Sequence, residues 1–409
     1  MSHLQITNVG PVISADVNFK KCTLLIGEQG TGKSTIAKLF SLFTWLEKGL
    51  LRHTITAAEV VKNNRFRNKY AAYHNQQSYI ADDSHIRYAG EYYTFDYSSA
   101  RLTITPNAQR CPFYTAKVMY IPAERNLLSV VESSKIQSGL SAPMQTLMEE
   151  LNKAKAHYAK GVGLPLAGIN FTYDRLNKAS WIVGKRADGK AYRTALNEAA
   201  SGYQSLLPLS LVSHYLAEVV VKNNAETIDY DSLNRLRQEV DNIMADTAIS
   251  DSVKTAMLRT LSARYSYSEL VNVVEEMEQN LYPESQRLVL FDLLKICNEL
   301  ERNKLVLTTH SPYLVNYMTL AVKAAQLDER IPQSSVSLKQ ALHDLVPREC
   351  MTRAADLAIY ELRDGYATLL PNVEGLPSDA NSLNQQLMDT NNLFDHLLDI
   401  EEQISAAQP

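Results

Sequence analysis

Apolar and polar positions along this chain follow two periods, and the switches between them mark the elements. Leu4-Gln5-Ile6-Thr7-Asn8-Val9 alternates, Gly10-Pro11 turns, and Val12–Phe19 can return, which predicts a paired strand at the start. Residues 23–26, 118–121, 270–274 and 304–309 form near-continuous apolar runs bounded by turn residues, the pattern of strands buried on both faces. After Gly32 the spacing changes: Ile36, Leu39, Phe40 and Phe43 recur every three or four residues and predict a helix. Residues 145–158, 288–294 and 313–326 read the same way. From about residue 50 to 117 the chain is polar and tyrosine-rich, with short strands expected at 91–97 and 101–105. Further short strands are expected at 171–173, 180–183 and 191–196, and a charged helical stretch at 219–264 with Leu233, Leu236, Val240 and Ile243 at helical spacing. Asp364-Gly365 is the turn signal of a hairpin over 360–370, and 381–400 forms an amphipathic helix. Strands interleaved with helices imply an α/β fold.

Composition narrows the class. The 409 residues allow a large core and roughly two or three domains. Hydrophobic residues at 45% and charged residues at 21% are globular values, and a net charge of -4 gives no global attraction to nucleic acid. Cys22, Cys111, Cys297 and Cys350 are scattered without C-x-x-C pairs, which argues against a zinc site or disulfide framework and suits a reducing compartment. The N-terminus does not read as a signal peptide, and no apolar run reads as long enough to span a bilayer, so the expected setting is cytoplasmic, with no membrane partner.

Chemistry concentrates in four places. Gly27-Glu28-Gln29-Gly30-Thr31-Gly32-Lys33-Ser34-Thr35 fits G-x-x-x-x-G-K-[ST] between a strand and a helix, the context of a phosphate-binding P-loop. Glycines let successive N–H groups turn toward phosphate oxygens and the helix N-terminus adds positive charge. Lys33 reaches the terminal phosphates and Ser34 ligates Mg2+, so Gly27, Gln29, Gly30, Thr31, Gly32, Lys33, Ser34 and Thr35 are the candidate residues for a nucleoside triphosphate, with the base left open. The run 270–274 ends in Glu275-Glu276. Two acids at a strand end suit Mg2+-dependent hydrolysis, with Glu275 on the metal and Glu276 polarising the attacking water; an alternative register makes Glu278 an accessory acid. The strand at 304–309 delivers His310, whose imidazole can donate to developing phosphate charge or orient the water. Ser201-Gly202 opens an apolar helix and offers a second N-terminus to an anion. Two weaker signals stay open. Glu124 and Arg125 sit near the phosphates or a partner subunit, or form a surface turn with an ion pair. The basic run 62–69 is a solvated helix face or a nucleic-acid contact.

In this order the motifs resemble ABC-type ATPases of the SMC, RecF and OLD group. N-x-G-P at Asn8–Pro11, the P-loop, the Glu275-Glu276 block and T-T-H-S-P at 308–312 carry the resemblance, and Ala200-Ser201-Gly202-Tyr203-Gln204 is similar to the signature motif. Tyr203 replaces its second glycine and Met277 the usual proline of the acidic block. The resemblance implies an ATPase head with an antiparallel β subdomain and a helical insertion. It divides into an N-terminal lobe (1–210), a short arm (211–268), the rest of the ATPase core (269–330) and a C-terminal hairpin and helix (331–409) open to a partner. It also implies a homodimer or higher homo-oligomer closing head to tail, with Ser201 and Gly202 facing the other chain's ATP. No TOPRIM pattern follows the core. The chain therefore looks like the stand-alone ATPase subunits of prokaryotic anti-phage systems (Septu-type, PARIS-type, retron-associated), which control a separate nuclease or toxin. The competing expectations are a RecF-like repair ATPase and a nucleotide-locked scaffold.

Overall fold

The computed structural model describes residues 2–108, 113–130, 139–222, 230–246 and 248–407. Cys111 lies outside them; Cys22, Cys297 and Cys350 are buried free thiols.

One sheet of eleven strands runs through the molecule. Its strands are β1 (Ser2–Val9), β2 (Val12–Phe19), β3 (Cys22–Gly27), β4 (Ile80–Ala89), β5 (Tyr93–Ser98), β6 (Arg101–Pro106), β7 (Ala116–Ile121), and, later in the chain, β12 (Glu269–Glu275), β13 (Lys304–Thr309), β14 (Leu357–Arg363) and β15 (Tyr366–Leu369). Between them β8 (Val162–Gly163), β9 (Asn170–Asp174), β10 (Ala179–Lys185) and β11 (Ala191–Ala195) make a separate antiparallel sheet. The helices of ten residues or more are α1 (Lys33–Leu51), α2 (Ala142–His157), α3 (Ser201–Lys222), α4 (Tyr230–Ala245), α5 (Asp251–Tyr265), α6 (Pro283–Asn298), α7 (Pro312–Arg330), α8 (Val336–Leu345) and α9 (Ser382–Ala407).

The large sheet has two halves. On one side β6, β5, β4, β1 and β2 are antiparallel neighbours; on the other β14, β3, β13, β12 and β7 run parallel. The parallel strands explain the unbroken apolar runs. Leu24 and Ile26 of β3 join one core with α2, α3, α6 and α7, while Leu25 between them joins the core around α1. The expected tyrosine-rich region builds that second core: Tyr88 and Tyr97 are fully buried, and Phe43 stacks on Tyr88 at 5.1 Å. Strand β4 was not legible because its polar residues alternate with few large apolar ones: Ile80, Ser84, Ile86 and Tyr88 face in, Asp82, Asp83 and Arg87 out.

The C-terminal hairpin, expected as an addition beyond the ATPase core, is part of the sheet. Asp364 and Gly365 take φ of 52° and 83°, as a tight hairpin turn needs. Its first strand, β14, pairs in parallel with β3, and β15 pairs with β2. The hairpin thus welds the antiparallel and parallel halves together. The helical stretch forms α4 and α5, and their base is tied to α1: Arg52 donates to Tyr265 O at 3.0 Å and the Tyr265 hydroxyl donates to Arg52 O at 3.1 Å. By length and composition α3 is apolar enough to cross a membrane, which the sequence reading did not anticipate, but 72% of its apolar window is buried inside the molecule.

Candidate functional site

The phosphate loop takes its shape from its surroundings. Gly27 ends β3 at φ 137°, and a Cβ there would lie 2.3 Å from Leu362 O of the neighbouring β14. Gly32 caps α1 at φ 101°, where a Cβ would strike Val12 Cγ2 at 2.4 Å. Both positions therefore exclude any side chain. Gly32 offers no side-chain cap, and no acidic residue sits in the first turn of α1, so that terminus keeps its positive character. Thr31 Oγ1 donates to Glu28 O at 2.8 Å, and the buried Thr35 carbonyl accepts from Gln76 Nε2 at 3.2 Å. Gln29 and Gly30 are exposed at the tip of the loop.

Three residues far apart in sequence meet beside this loop. Lys33 Nζ donates to Gly27 O at 2.7 Å and Glu28 O at 2.6 Å, and lies 3.3 Å from His310 Nδ1. The other ring nitrogen, Nε2, lies 3.3 Å from Glu276 Oε1. When the ring is neutral, a lysine donor on one side and a carboxylate on the other select the tautomer with its proton on Nε2. Burial lowers Lys33 from its ordinary 10.5 to about 8, against the upward pull of Glu276, Glu278 and Glu28. Glu276 is held below the usual carboxylate range, first by its hydrogen bond with His310, then by the charges of His310, Lys33 and Arg125 against partial burial.

The acidic turn is strained and clamped. Glu276 has a φ of 44°, a left-handed conformation that costs a non-glycine residue about 1–3 kcal/mol. Its N–H donates to Thr308 O at 2.9 Å. Arg125, fully buried, donates to Glu275 O and Glu276 O, each at 2.7 Å, and to Ser205 O at 3.1 Å. The surface-turn reading of Arg125 is thereby corrected: its guanidinium is a buried clamp on the backbone of the acidic turn, and burial lowers it to about 10. Met277, in place of a proline, anchors the turn by burying its whole side chain. Glu278 Oε1 accepts from Thr309 Oγ1 at 2.7 Å and His310 N at 2.8 Å, so Glu278 orients the histidine.

Glu275 fits a divalent cation. It is 4% exposed, and its Oε1 has no hydrogen-bond partner; Lys38 Nζ stands 3.9 Å away. The Ser34 hydroxyl makes no hydrogen bond among the described residues. No group of three metal-ligating side chains occurs among them. Mg2+ needs none, because it takes one or two protein oxygens together with water and substrate phosphates.

Ser201 and Gly202 do not join this cluster. Ser201 is exposed at the start of α3, and no hydrogen bond or ion pair links either residue to residues 27–35 among the described residues. A Cβ on Gly202 would lie 2.9 Å from Asn280 O, so this turn packs on the loop after β12. Asn280 Nδ2 donates to Ser205 Oγ at 2.9 Å, and Arg125 reaches the carbonyl of the same serine. Beside Tyr203 stands Tyr192 of β11; burial first, then that neighbour, push the Tyr203 phenol up to about 12. Sequence reasoning missed Lys38, Gln76 and the positioning role of Glu278. Only Lys38 carried a signal, one helical turn beyond Ser34.

Fold and site define an α/β protein of the P-loop class. Residues 188–316 match the family described as "AAA domain, putative AbiEii toxin, Type IV TA system". That span runs from β11 through the Ser201 turn and the helical arm to the acidic turn and His310. Among solved structures the chain is similar to the SMC head domain from Thermotoga maritima (10% identity, 91% of this chain and 98% of that one, TM-score 0.35). It is also similar to the Smc head domain with an extended coiled coil bound to the C-terminal domain of ScpA derived from Pyrococcus furiosus (10%, 97% and 100%, TM-score 0.38). A third is the recombination mediator protein RecF-ATPrS in the RecFOR pathway (11%, 90% and 97%, TM-score 0.30). No curated protein matches the sequence.

Proposed function

We propose that this chain is an ABC-type ATPase that binds ATP with Mg2+, closes head to tail with a second copy around the nucleotide, and controls a separate nuclease or toxin in anti-phage defence. The observation that carries the ATPase reading is the contact chain Lys33–His310–Glu276, with both links at 3.3 Å, beside a glycine loop and a helix N-terminus. Lys33 exchanges its bonds to Gly27 O and Glu28 O for phosphate oxygens. Ser34 and Glu275 would hold the cation, which when bound would supply charge neutralisation for the phosphates. Glu276, kept ionised and aimed by His310 and the Arg125 clamp, accepts the proton of the attacking water. His310 then passes its Nε2 proton contact from Glu276 to the departing phosphate oxygens.

The dimer reading is supported by the exposed Ser201 turn. It lies off the P-loop of its own chain, and charge on the far side of a triphosphate calls for another helix terminus. The effector reading is supported by α9, whose Leu393, Phe394 and Leu397 are each 60–66% exposed on an otherwise acidic helix. The matched family's description names a toxin system, which agrees with defence.

Two variants test the core. Lys33→Ala is expected to abolish ATP binding in calorimetry. Glu276→Gln is expected to bind ATP, lose at least about 100-fold in phosphate release, and elute as a dimer with ATP and Mg2+. Wild-type turnover by Glu276→Gln refutes the base assignment. ATP-dependent duplex DNA binding by the chain alone, with no effector co-purifying, replaces the defence reading with a RecF-like repair ATPase.

A further inference from the structure

A cavity of about 1260 Å3 lies beside α1 and β7, and none of residues 27–35 lines it. It is bounded by α1, α2, α3 and the base of α4, and is larger than the roughly 300–1,000 Å3 of ordinary small-molecule pockets. Its wall is cationic and aromatic. Arg52, Lys117 and Lys48 stand 4.3, 5.6 and 5.9 Å from the centroid of the Tyr267 ring. Arg52 is 1% exposed and donates to the carbonyls of Arg264, Tyr265 and Ser266 and to Thr115 Oγ1, none of which carries charge. Lys69, Lys153 and Arg235 add to the wall, while Glu150 pairs with Lys117 at 3.0 Å and with Lys153 at 3.2 Å, so the cations still outnumber the acids. The potential shows at Tyr267. Burial raises its phenol, but Lys48, Lys117 and Arg52 outweigh burial and bring it down to about 8.

Two further observations point to a ligand. His74 lines the cavity at 3% exposure, and its Nδ1 has no hydrogen-bond partner. Trp45, Tyr70 and Tyr73 line the same wall, and Trp45 is 40% exposed. Stacking surface, fixed positive charge and an unsatisfied ring nitrogen are what a phosphorylated aromatic molecule needs.

We infer that this cavity is a second ligand site, separate from the P-loop, for a nucleotide. Its phosphate faces Lys48, Arg52 and Lys69, its base lies against Trp45 and the neighbouring tyrosines, and His74 Nδ1 meets a polar edge. The site adjoins the metal-side acid: the His74 ring packs edge-on against Tyr120 at 4.7 Å, and the Tyr120 phenol is raised first by burial and then by Glu275. Gln76, two residues on, holds Thr35 O of the phosphate loop. Occupancy of the cavity thus acts on the ATP site through these two side chains.

The test uses the full chain with Trp181→Phe, which leaves Trp45 as the remaining tryptophan of two. AMP, GMP and inorganic pyrophosphate are titrated, with Trp45 emission and calorimetry read together. The expected result is saturable binding of AMP or GMP that changes Trp45 emission and persists in Lys33→Ala. Lys48→Gln with Lys69→Gln should weaken it at least about tenfold at an unchanged melting temperature. The proposal is overturned if neither monophosphate binds, if binding vanishes with Lys33→Ala, if the double variant binds as tightly as its parent, or if pyrophosphate binds and the monophosphates do not.

Discussion

Lys33 illustrates how much one side chain's environment decides. Its ammonium is held among carbonyl oxygens and a histidine nitrogen in a site that burial makes costly for charge, which brings it to about 8. Without nucleotide it loses its proton as pH rises through about 8; phosphate oxygens favour the charged form. Binding therefore takes up a proton above that pH, and affinity should fall by up to about tenfold per pH unit there. Calorimetry at about pH 9 in two buffers of different ionisation enthalpy measures the uptake, and an affinity flat from about pH 7 to about pH 9.5 excludes it. The side chains that meet at this point were legible because each ends or follows a strand: Lys33 after β3, Glu276 after β12, His310 after β13. Arg125 also follows a strand, β7, yet its role was not legible. Nothing in Pro-Ala-Glu-Arg-Asn says whether an arginine turns outward to water or inward to backbone carbonyls; that choice depends on the turn after β12, about 150 residues away.

At the scale of elements, periodicity located most strands and helices, because burial on both faces leaves an unmistakable apolar run. It failed where polar groups are buried. Glu47 sits on the core face of α1, and its Oε1 accepts from Tyr92 N at 2.7 Å and Tyr93 N at 3.0 Å, pinning the turn before β5. Burial raises it from the ordinary 4.5 to about 7, against those two bonds. The native state thus binds this proton more tightly than the unfolded chain. That contribution is full below about pH 4.5 and is lost as pH rises through about 7. Glu47→Gln keeps an accepting oxygen and removes the charge. It should gain about 1–3 kcal/mol at about pH 8 and nothing at about pH 4, read from chemical denaturation at the two values. A destabilised variant at the higher pH would show that the carboxylate is worth more than its burial costs.

At the scale of the whole molecule, the sheet is closed by residues from both ends of the sequence. The hairpin was legible as a hairpin; its docking between β2 and β3 was not, since strand order is not written in local pattern. A chain ended after residue 353 loses β14 and β15 and leaves β3 with an unpaired edge beside the phosphate loop. It is expected to aggregate and to bind no ATP, whereas a chain ended after residue 385 should stay folded with a cooperative melt. Equal solubility of the two would show that the hairpin is dispensable.

The pairing of Leu362 with Gly27 also sets a timetable for synthesis. The phosphate-binding motif leaves the ribosome long before the strand that shapes its glycine, because that strand comes far later in chain order. Polypeptides released before β14 would carry the whole motif but no finished pocket, so a nascent chain cannot engage the nucleotide pool until that strand has emerged.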